Sequence, residues 1–255
     1  MPAGSVNARI AAAIAAGRPC GFYGKVPARA DFVGAGLRPE TVGRWDAWLQ
    51  QALAAGEAAV GPDWAELFFV APLWRFILPA GACGRLTLIG VLMPSVDAVG
   101  RCFPLMLGQE IERPVDPVGL MAGSGPWFAA AEALALDALG DGFDPAEFGR
   151  DLPHWSVVRG VSAPPAPVRG GGVGTWIELP IASAAPAAVA ALAGGRALWW
   201  TTGARHVPPG VAVSAGLVGP DGFAALIDGR WARHGWSVLP PARGEAEDSE
   251  WDREG

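Results

Sequence analysis

Lysine is nearly absent from this chain. Its 255 residues hold 19 lysines and arginines together, and Lys25 is the single lysine among them. Against them stand 25 acidic residues, for a net charge of −6. No basic stripe stands out, so the electrostatic footprint of a nucleic-acid binder is missing, as is a polybasic membrane anchor. Histidine is scarce too: His154, His206 and His234 have no carboxylate or cysteine at ligand spacing, and read as surface or packing residues. Cys20, Cys83 and Cys102 are odd in number and widely spaced. They make no C-x-x-C pair and read as buried, reduced thiols of a cytosolic protein. No apolar run reaches the ~18 residues of a membrane helix. The longest, Leu67–Leu78, is interrupted by Pro72 and Arg75.

Catalytic signatures are missing as well. Ser95 lies in Met-Pro-Ser-Val-Asp and not in a G-x-S-x-G elbow. Gly170-Gly171-Gly172 is followed by Val-Gly and not by Lys-Ser/Thr, so it is no phosphate-binding loop. No G-x-G-x-x-G follows a strand, and neither a cofactor nor a metal is expected.

What is present is apolar mass: 51% hydrophobic against 17% charged residues, ample for a packed core. Residues 1–18 read as a leader, whether a short helix, a disordered segment or a misassigned start. Residues 241–255 carry Glu245, Glu247, Asp248, Glu250, Asp252 and Glu254 against Arg243 and Arg253, and read as an acidic, disordered tail. Between them, 19–240 reads as one domain with a long Pro/Gly loop near 162–174. The piece after that loop is too short for a core of its own, so it is expected to complete the same sheet.

Within the domain, Gly21–Pro27 reads as a short strand leading into a loop. A helix is expected from Thr41, with Val42, Trp45, Leu49, Ala52 and Leu53 on one face and Gly56 as its stop. Leu67–Leu78, Leu86–Met93 and Phe103–Ile111 read as strands that are apolar on both faces, with Pro72 marking a bulge or edge. The short link Pro94–Cys102 makes the second and third of them antiparallel neighbours. Helices are expected over Pro126–Leu139, with Trp127, Ala130, Leu134 and Ala138 sharing a face, and over Ser183–Ala193. Further strands are expected at Thr175–Leu179, Ala197–Thr202 and Phe223–Ile227. The fold class that follows is α/β: a single three-layer α/β/α domain, with a mixed, mainly antiparallel central sheet and helices on both faces.

A small set of charges sits in apolar surroundings: Lys25, Arg29, Asp31, Arg75, Asp97 and Arg101. A buried arginine needs a carboxylate, so Arg75 is expected to meet Asp31 or Asp97. The set reads either as an ion-pair network that fixes loops or as an edge of a partner-binding surface. Most of the 12 tryptophans fall on apolar faces. Trp199 and Trp200 point to opposite faces of a strand, so one of them is a candidate exposed anchor, as are Trp231 and Trp236.

Four segments in order carry a resemblance. They are Gly21–Val33 (GFYGKVPARADFV), Trp45-Asp46-x-Trp48-Leu49-Gln50, Ala71–Phe76 (APLWRF) and Val91–Leu105 (VLMPSVDAVGRCFPL). Together they resemble the signature motifs of the TagF (ImpM) family of type VI secretion regulators, over roughly residues 20–112. Residues 113–255 match only loosely. Ala30 stands where glycine is expected, Cys102 where an aromatic is expected, and the leader is longer than usual. The resemblance implies a single α/β domain without catalysis. It implies a cytoplasmic protein that represses type VI secretion after translation, by binding an Fha-type forkhead-associated scaffold protein. Some relatives carry a fused serine/threonine phosphatase domain, in whose place this chain has its acidic tail.

Two other classes stand beside that one. An enzyme or small-molecule sensor would gather Asp31, Arg75, Asp97 and Arg101 in one solvent-open pocket. A structural part of the secretion apparatus would co-purify with a baseplate or sheath.

Overall fold

The computed structural model describes residues 20–112, 115–152, 173–178 and 195–239. One nine-stranded sheet runs through them. Its strands are β1 (Cys20–Gly24), β2 (Val33–Ala35), β3 (Trp74–Leu78), β4 (Thr87–Met93), β5 (Leu105–Ile111), β6 (Thr175–Glu178), β7 (Ala197–Thr201), β8 (Gly210–Ser214) and β9 (Ser237–Leu239). Their spatial order is β2-β1-β5-β4-β3-β7-β8-β6-β9. Every pairing is antiparallel except β6 with β9. The sheet is therefore mixed and mainly antiparallel. The strands beyond residue 173 extend the sheet that the first half begins.

Helices lie on both faces. On one face are α1 (Pro39–Val60), α2 (Trp64–Phe69), and the single turns α6 (Pro220–Phe223) and α7 (Ala225–Asp228). On the other are α3 (Pro117–Gly123), α4 (Gly125–Asp137) and α5 (Pro145–Asp151). Alternation along the strands feeds both layers. Trp74, Phe76 and Leu78 pack with α1, while Ile77 between them packs toward α4. Burying a strand on both faces needs apolar residues at odd and even positions, which is the pattern that Leu88–Met93 shows.

α1 starts with Pro39 in its first turn and Glu40 beside it, where a fixed φ and a negative charge suit a helix N-terminus. Thr41, Trp45, Trp48, Leu49 and Ala52 make its buried stripe. The helix does not stop at Gly56 but runs on to Val60. Gly56 instead leaves room for the Trp64 ring, which a Cβ would meet at 2.8 Å.

Three further expectations are corrected. Leu67–Val70 is not strand: Trp64 and Phe68, four residues apart, anchor α2, and Pro72 lies in the loop before β3. Phe223–Ile227 forms helical turns, which bring the Leu226 carbonyl to the Trp74 indole N–H at 3.0 Å. The buried stripe of α4 is Trp127, Phe128, Ala131 and Ala135, and Ala130 faces solvent. The expected helix Ser183–Ala193, the leader, most of the Pro/Gly loop, His154 and the tail lie outside the described residues.

Candidate functional site

Three of the four signature segments meet at one end of the sheet, and the strand register puts them there. Tyr23 on β1 lies opposite Met106 on β5, Met106 opposite Leu92 on β4, and Leu92 opposite Trp74 on β3. Residues just after β1, just before β3 and between β4 and β5 therefore emerge side by side.

Asp97 is the hub of this end. The 94–104 link folds into a tight hairpin, with a bridge between Val96 and Cys102 and a hydrogen bond from the Phe103 N–H to the Ser95 carbonyl at 2.9 Å. Gly100 takes the left-handed φ of +86° that the turn requires. The turn aims the Asp97 carboxylate inward. Its Oδ1 accepts from the backbone N–H groups of Val99 at 3.0 Å and Arg101 at 2.9 Å. Its Oδ2 accepts from Lys25 Nζ at 2.7 Å and Arg101 Nε at 2.6 Å. Burial works to raise this carboxyl, but Lys25 and the two Arg101 bonds outweigh it, and Asp97 is held well below the usual carboxylate range. All four acceptor positions of the group are taken. It has no lone pair left for a metal or a substrate proton.

The first segment is tied to the same hub. Arg101 Nη2 donates to the Ala30 carbonyl at 2.9 Å, and the Ala98 N–H to the Arg29 carbonyl at 2.9 Å. Arg29 Nη2 reaches the Phe143 carbonyl at 3.3 Å. Lys25 lies 4.9 Å over the ring of Phe32. That ring stacks on Tyr23 at 5.4 Å and meets the Phe103 edge at 4.7 Å. Tyr23 in turn donates to Asp46 of α1 at 2.8 Å, and Gln50 holds the second Asp46 oxygen at 2.6 Å. Burial, reinforced by that carboxylate, pushes the Tyr23 phenol far up.

The third segment supplies Pro72 and Trp74 to a shallow crevice with room for little more than one water molecule. Phe68, Pro94, Pro104 and Leu226 are among the other walls, and the lining is wholly apolar. Around this end three large apolar side chains stand exposed: Phe32 at 45%, Phe69 at 55% and Val99 at 68%.

Of the six charged residues singled out in the sequence, Lys25, Asp97 and Arg101 come together, and Arg29 joins them through its backbone. Asp31 is exposed and stands apart from Arg75. Arg75 meets neither Asp31 nor Asp97. Its Nε and Nη2 pair with Glu132 of α4 at 2.6 and 2.7 Å, on the other layer. Arg75 alternates with Trp74 and Phe76, which face α1, so its side chain must point to α4. Asp31, Arg75, Asp97 and Arg101 thus share no pocket.

Glu132 was legible in principle, as the single charge in the run Gly125–Leu136. Trp199 and Trp200 do point to opposite faces, but both are buried, as are Trp231 and Trp236, so none is an exposed anchor. Those rings instead build the core, with Trp231 stacked on Trp176 at 4.0 Å. Sequence reading also missed two buried polar pairs. His234 Nε2 lies 2.8 Å from Asp228, and Thr41 donates to Glu110. Burial pushes the Cys20 and Cys83 thiols up to about 12, which keeps them protonated and unreactive. Among the described residues no three His, Cys, Asp or Glu side chains are grouped as metal ligands, and no helix is long and apolar enough to cross a membrane.

Comparison with known proteins places this geometry. The model of the TagF N-terminal domain, type VI secretion system-associated, matches residues 21–154, which contain all four signature segments. The crystal structure of PA0076 from Pseudomonas aeruginosa PAO1 superposes with a TM-score of 0.69 at 29% identity, covering 89% of this chain and 100% of that one. No curated protein matches the chain. A match over more than half of its length, including the whole Asp97 hub, makes this chain a member of the TagF family of type VI secretion system-associated proteins.

Proposed function

We propose that this protein is a non-enzymatic accessory regulator of a type VI secretion system. It represses secretion after translation, by docking a cytoplasmic Fha-type forkhead-associated scaffold protein on the signature end of its sheet. One observation carries the reading. The carboxylate at the centre of that end spends all its acceptor positions on Lys25, Arg101 and two backbone N–H groups. A general acid or base needs a free site within reach of a substrate proton, and Asp97 offers none. What it does is lock the loop after β1 and the 94–104 hairpin into one surface, on which Phe32 and Val99 stand out toward solvent. Rigid, partly exposed aromatic groups on a fixed scaffold suit protein docking.

The test is capture of the forkhead-associated scaffold by the purified full chain, together with a gene knockout. The repressor reading expects capture and raised secretion in the knockout. Lost secretion would mark a structural component, and no capture with unchanged secretion would overturn the reading.

A further inference from the structure

The guanidinium groups of Arg205, Arg230 and Arg233 are exposed and have no partner, whereas every other arginine among the described residues has one. The three stand together. Arg205 and His206 form the exposed tip of the loop between β7 and β8, where the Ala204 N–H donates to the Val207 carbonyl at 2.8 Å. Gly229, at a left-handed φ of +70°, lies so close to the His206 carbonyl that a Cβ there would collide with it. Arg230 is the next residue. Arg233 follows three positions later, on the 3₁₀ turn Trp231–His234, and that spacing returns a side chain to the same side of such a turn. Trp231 and His234, also three apart, are the buried side.

A buried pair holds this frame. Asp228 Oδ1 accepts from the Arg230 backbone N–H at 2.9 Å, and Oδ2 meets His234 Nε2 at 2.8 Å, with side chains 2% and 5% exposed. Both oxygens are engaged, so Asp228 offers the guanidinium groups no mate. Glu178 and Asp221, exposed on neighbouring elements, pair with none of the three. Like charges set side by side do not stabilise a fold, so the cluster has no structural use among the described residues. The strand register shows where it faces. Trp200 pairs with Arg75, and Trp74 with Leu92, so the loop after β7 leaves the sheet at the same end as the 94–104 hairpin. β7 and β4 are two strand spacings apart, or about 10 Å.

We propose that Arg205, Arg230 and Arg233 receive an acidic segment of the partner protein, rich in aspartate and glutamate, beside the docking surface at Phe32 and Val99. This rests on the docking reading above and adds the partner's chemistry to it. The planar fork of a guanidinium matches a carboxylate in two-pronged fashion. Nucleic acid is the poorer match: three charges neutralise few phosphates, and the Trp231 and Trp236 rings nearby are buried, so no base can stack on them. Exposed charges at the rim of an interface act mainly on the rate of encounter and on its salt dependence.

Stopped-flow association of the full chain with the scaffold protein tests this. R205Q, R230Q and R233Q together should slow association about 10-fold at low salt, flatten its salt dependence and leave the melting curve in place. R205K, R230K and R233K together should keep most of the rate. Arg85→Gln, at an exposed position at the opposite end of the sheet, should change nothing. An unchanged rate in the glutamine variant, with Val99→Ser still weak, would overturn the inference and leave the docking reading standing. If the wild type does not bind the scaffold at all, the docking reading fails, and a labelled decaglutamate peptide judges the patch alone. Binding by the wild type that the glutamine variant loses sustains the patch; equal binding by both, or none by either, overturns it. Tighter binding of a single-stranded DNA of equal charge than of that peptide would also overturn it, by assigning the patch to nucleic acid.

Discussion

Lys25 Nζ and Asp97 Oδ2 meet at 2.7 Å with their side chains 8% and 0% exposed, and they join residues 72 positions apart. The pair fastens the loop after β1 to the hairpin between β4 and β5. Removing Lys25 takes one of two cations from a buried carboxylate that Arg101 and two backbone N–H groups still hold, which costs stability. Lys25→Met is therefore expected to lower the melting temperature by on the order of 5–10 °C. Replacing the lost charge with Lys25→Arg should recover only part, because a planar guanidinium does not fit a point-charge site above the Phe32 ring. Calorimetric melting of both variants checks this, and wild-type stability in Lys25→Met would refute the hub.

Asp97 also gives stability a pH dependence of known sign. Its folded pKa lies below its unfolded value, so its contribution is complete above the ordinary aspartate range near ~4 and fades as pH falls through it. Asp144 acts in the same sense: the N–H groups of Glu147 and Ala146, which it accepts from at the start of α5, lower its pKa. Between pH 6 and pH 3 the urea midpoint of the wild type should fall further than that of Asp97→Asn. Parallel curves would show that Asp97 holds no special charge balance.

Arg75 and Glu132 tie the sheet to α4 by a two-pronged bond with side chains 17% and 23% exposed. Partial solvent screening keeps its net value near ~1 kcal/mol. Arg75→Met and Glu132→Gln should each destabilise by about 1–2 kcal/mol, and the double variant by clearly less than their sum. Additive losses in denaturant titrations would mean that the two groups do not depend on each other.

How much of this was legible beforehand divides by the kind of signal. Strands β4, β5 and β7 and the antiparallel pairing of β4 with β5 followed from short apolar runs and a short link. The meeting of Lys25, Asp97 and Arg101 was partly legible, as charges that apolar neighbours would force together. The partner of Arg75 was not, because a strand position fixes which layer a side chain enters and not which helix waits there. Leu67–Val70 and Phe223–Ile227 misled for one reason. Short apolar runs fit a strand or a helical turn equally, and only the packing of Phe68 and Leu226 around Trp74 decides between them. β2 and β9, three residues each, carry too little pattern to be seen.

The proposed docking surface can be tested apart from the scaffold by substitution of exposed groups alone. Phe32 is held from inside by Tyr23, Phe103 and Lys25, yet 45% of it faces solvent, and Val99 at the hairpin tip is 68% exposed. Val99→Ser removes exposed apolar area and touches no hydrogen bond, since only its backbone N–H serves Asp97. Stability should therefore change by less than ~0.5 kcal/mol, while capture of the partner weakens about 10-fold or more if Val99 sits at the centre of the contact. Phe32→Leu gives up the ring stack and the cation contact, for a stability loss of about 1–2 kcal/mol, with a comparable effect on capture. Leu136→Ser, at an exposed position on the opposite layer, should leave capture unchanged. Titration calorimetry against the scaffold protein compares the three. Equal affinities would move the docking surface away from the signature end, whereas weak binding by Val99→Ser with an unchanged melting curve would place it on the hairpin that Asp97 holds in shape.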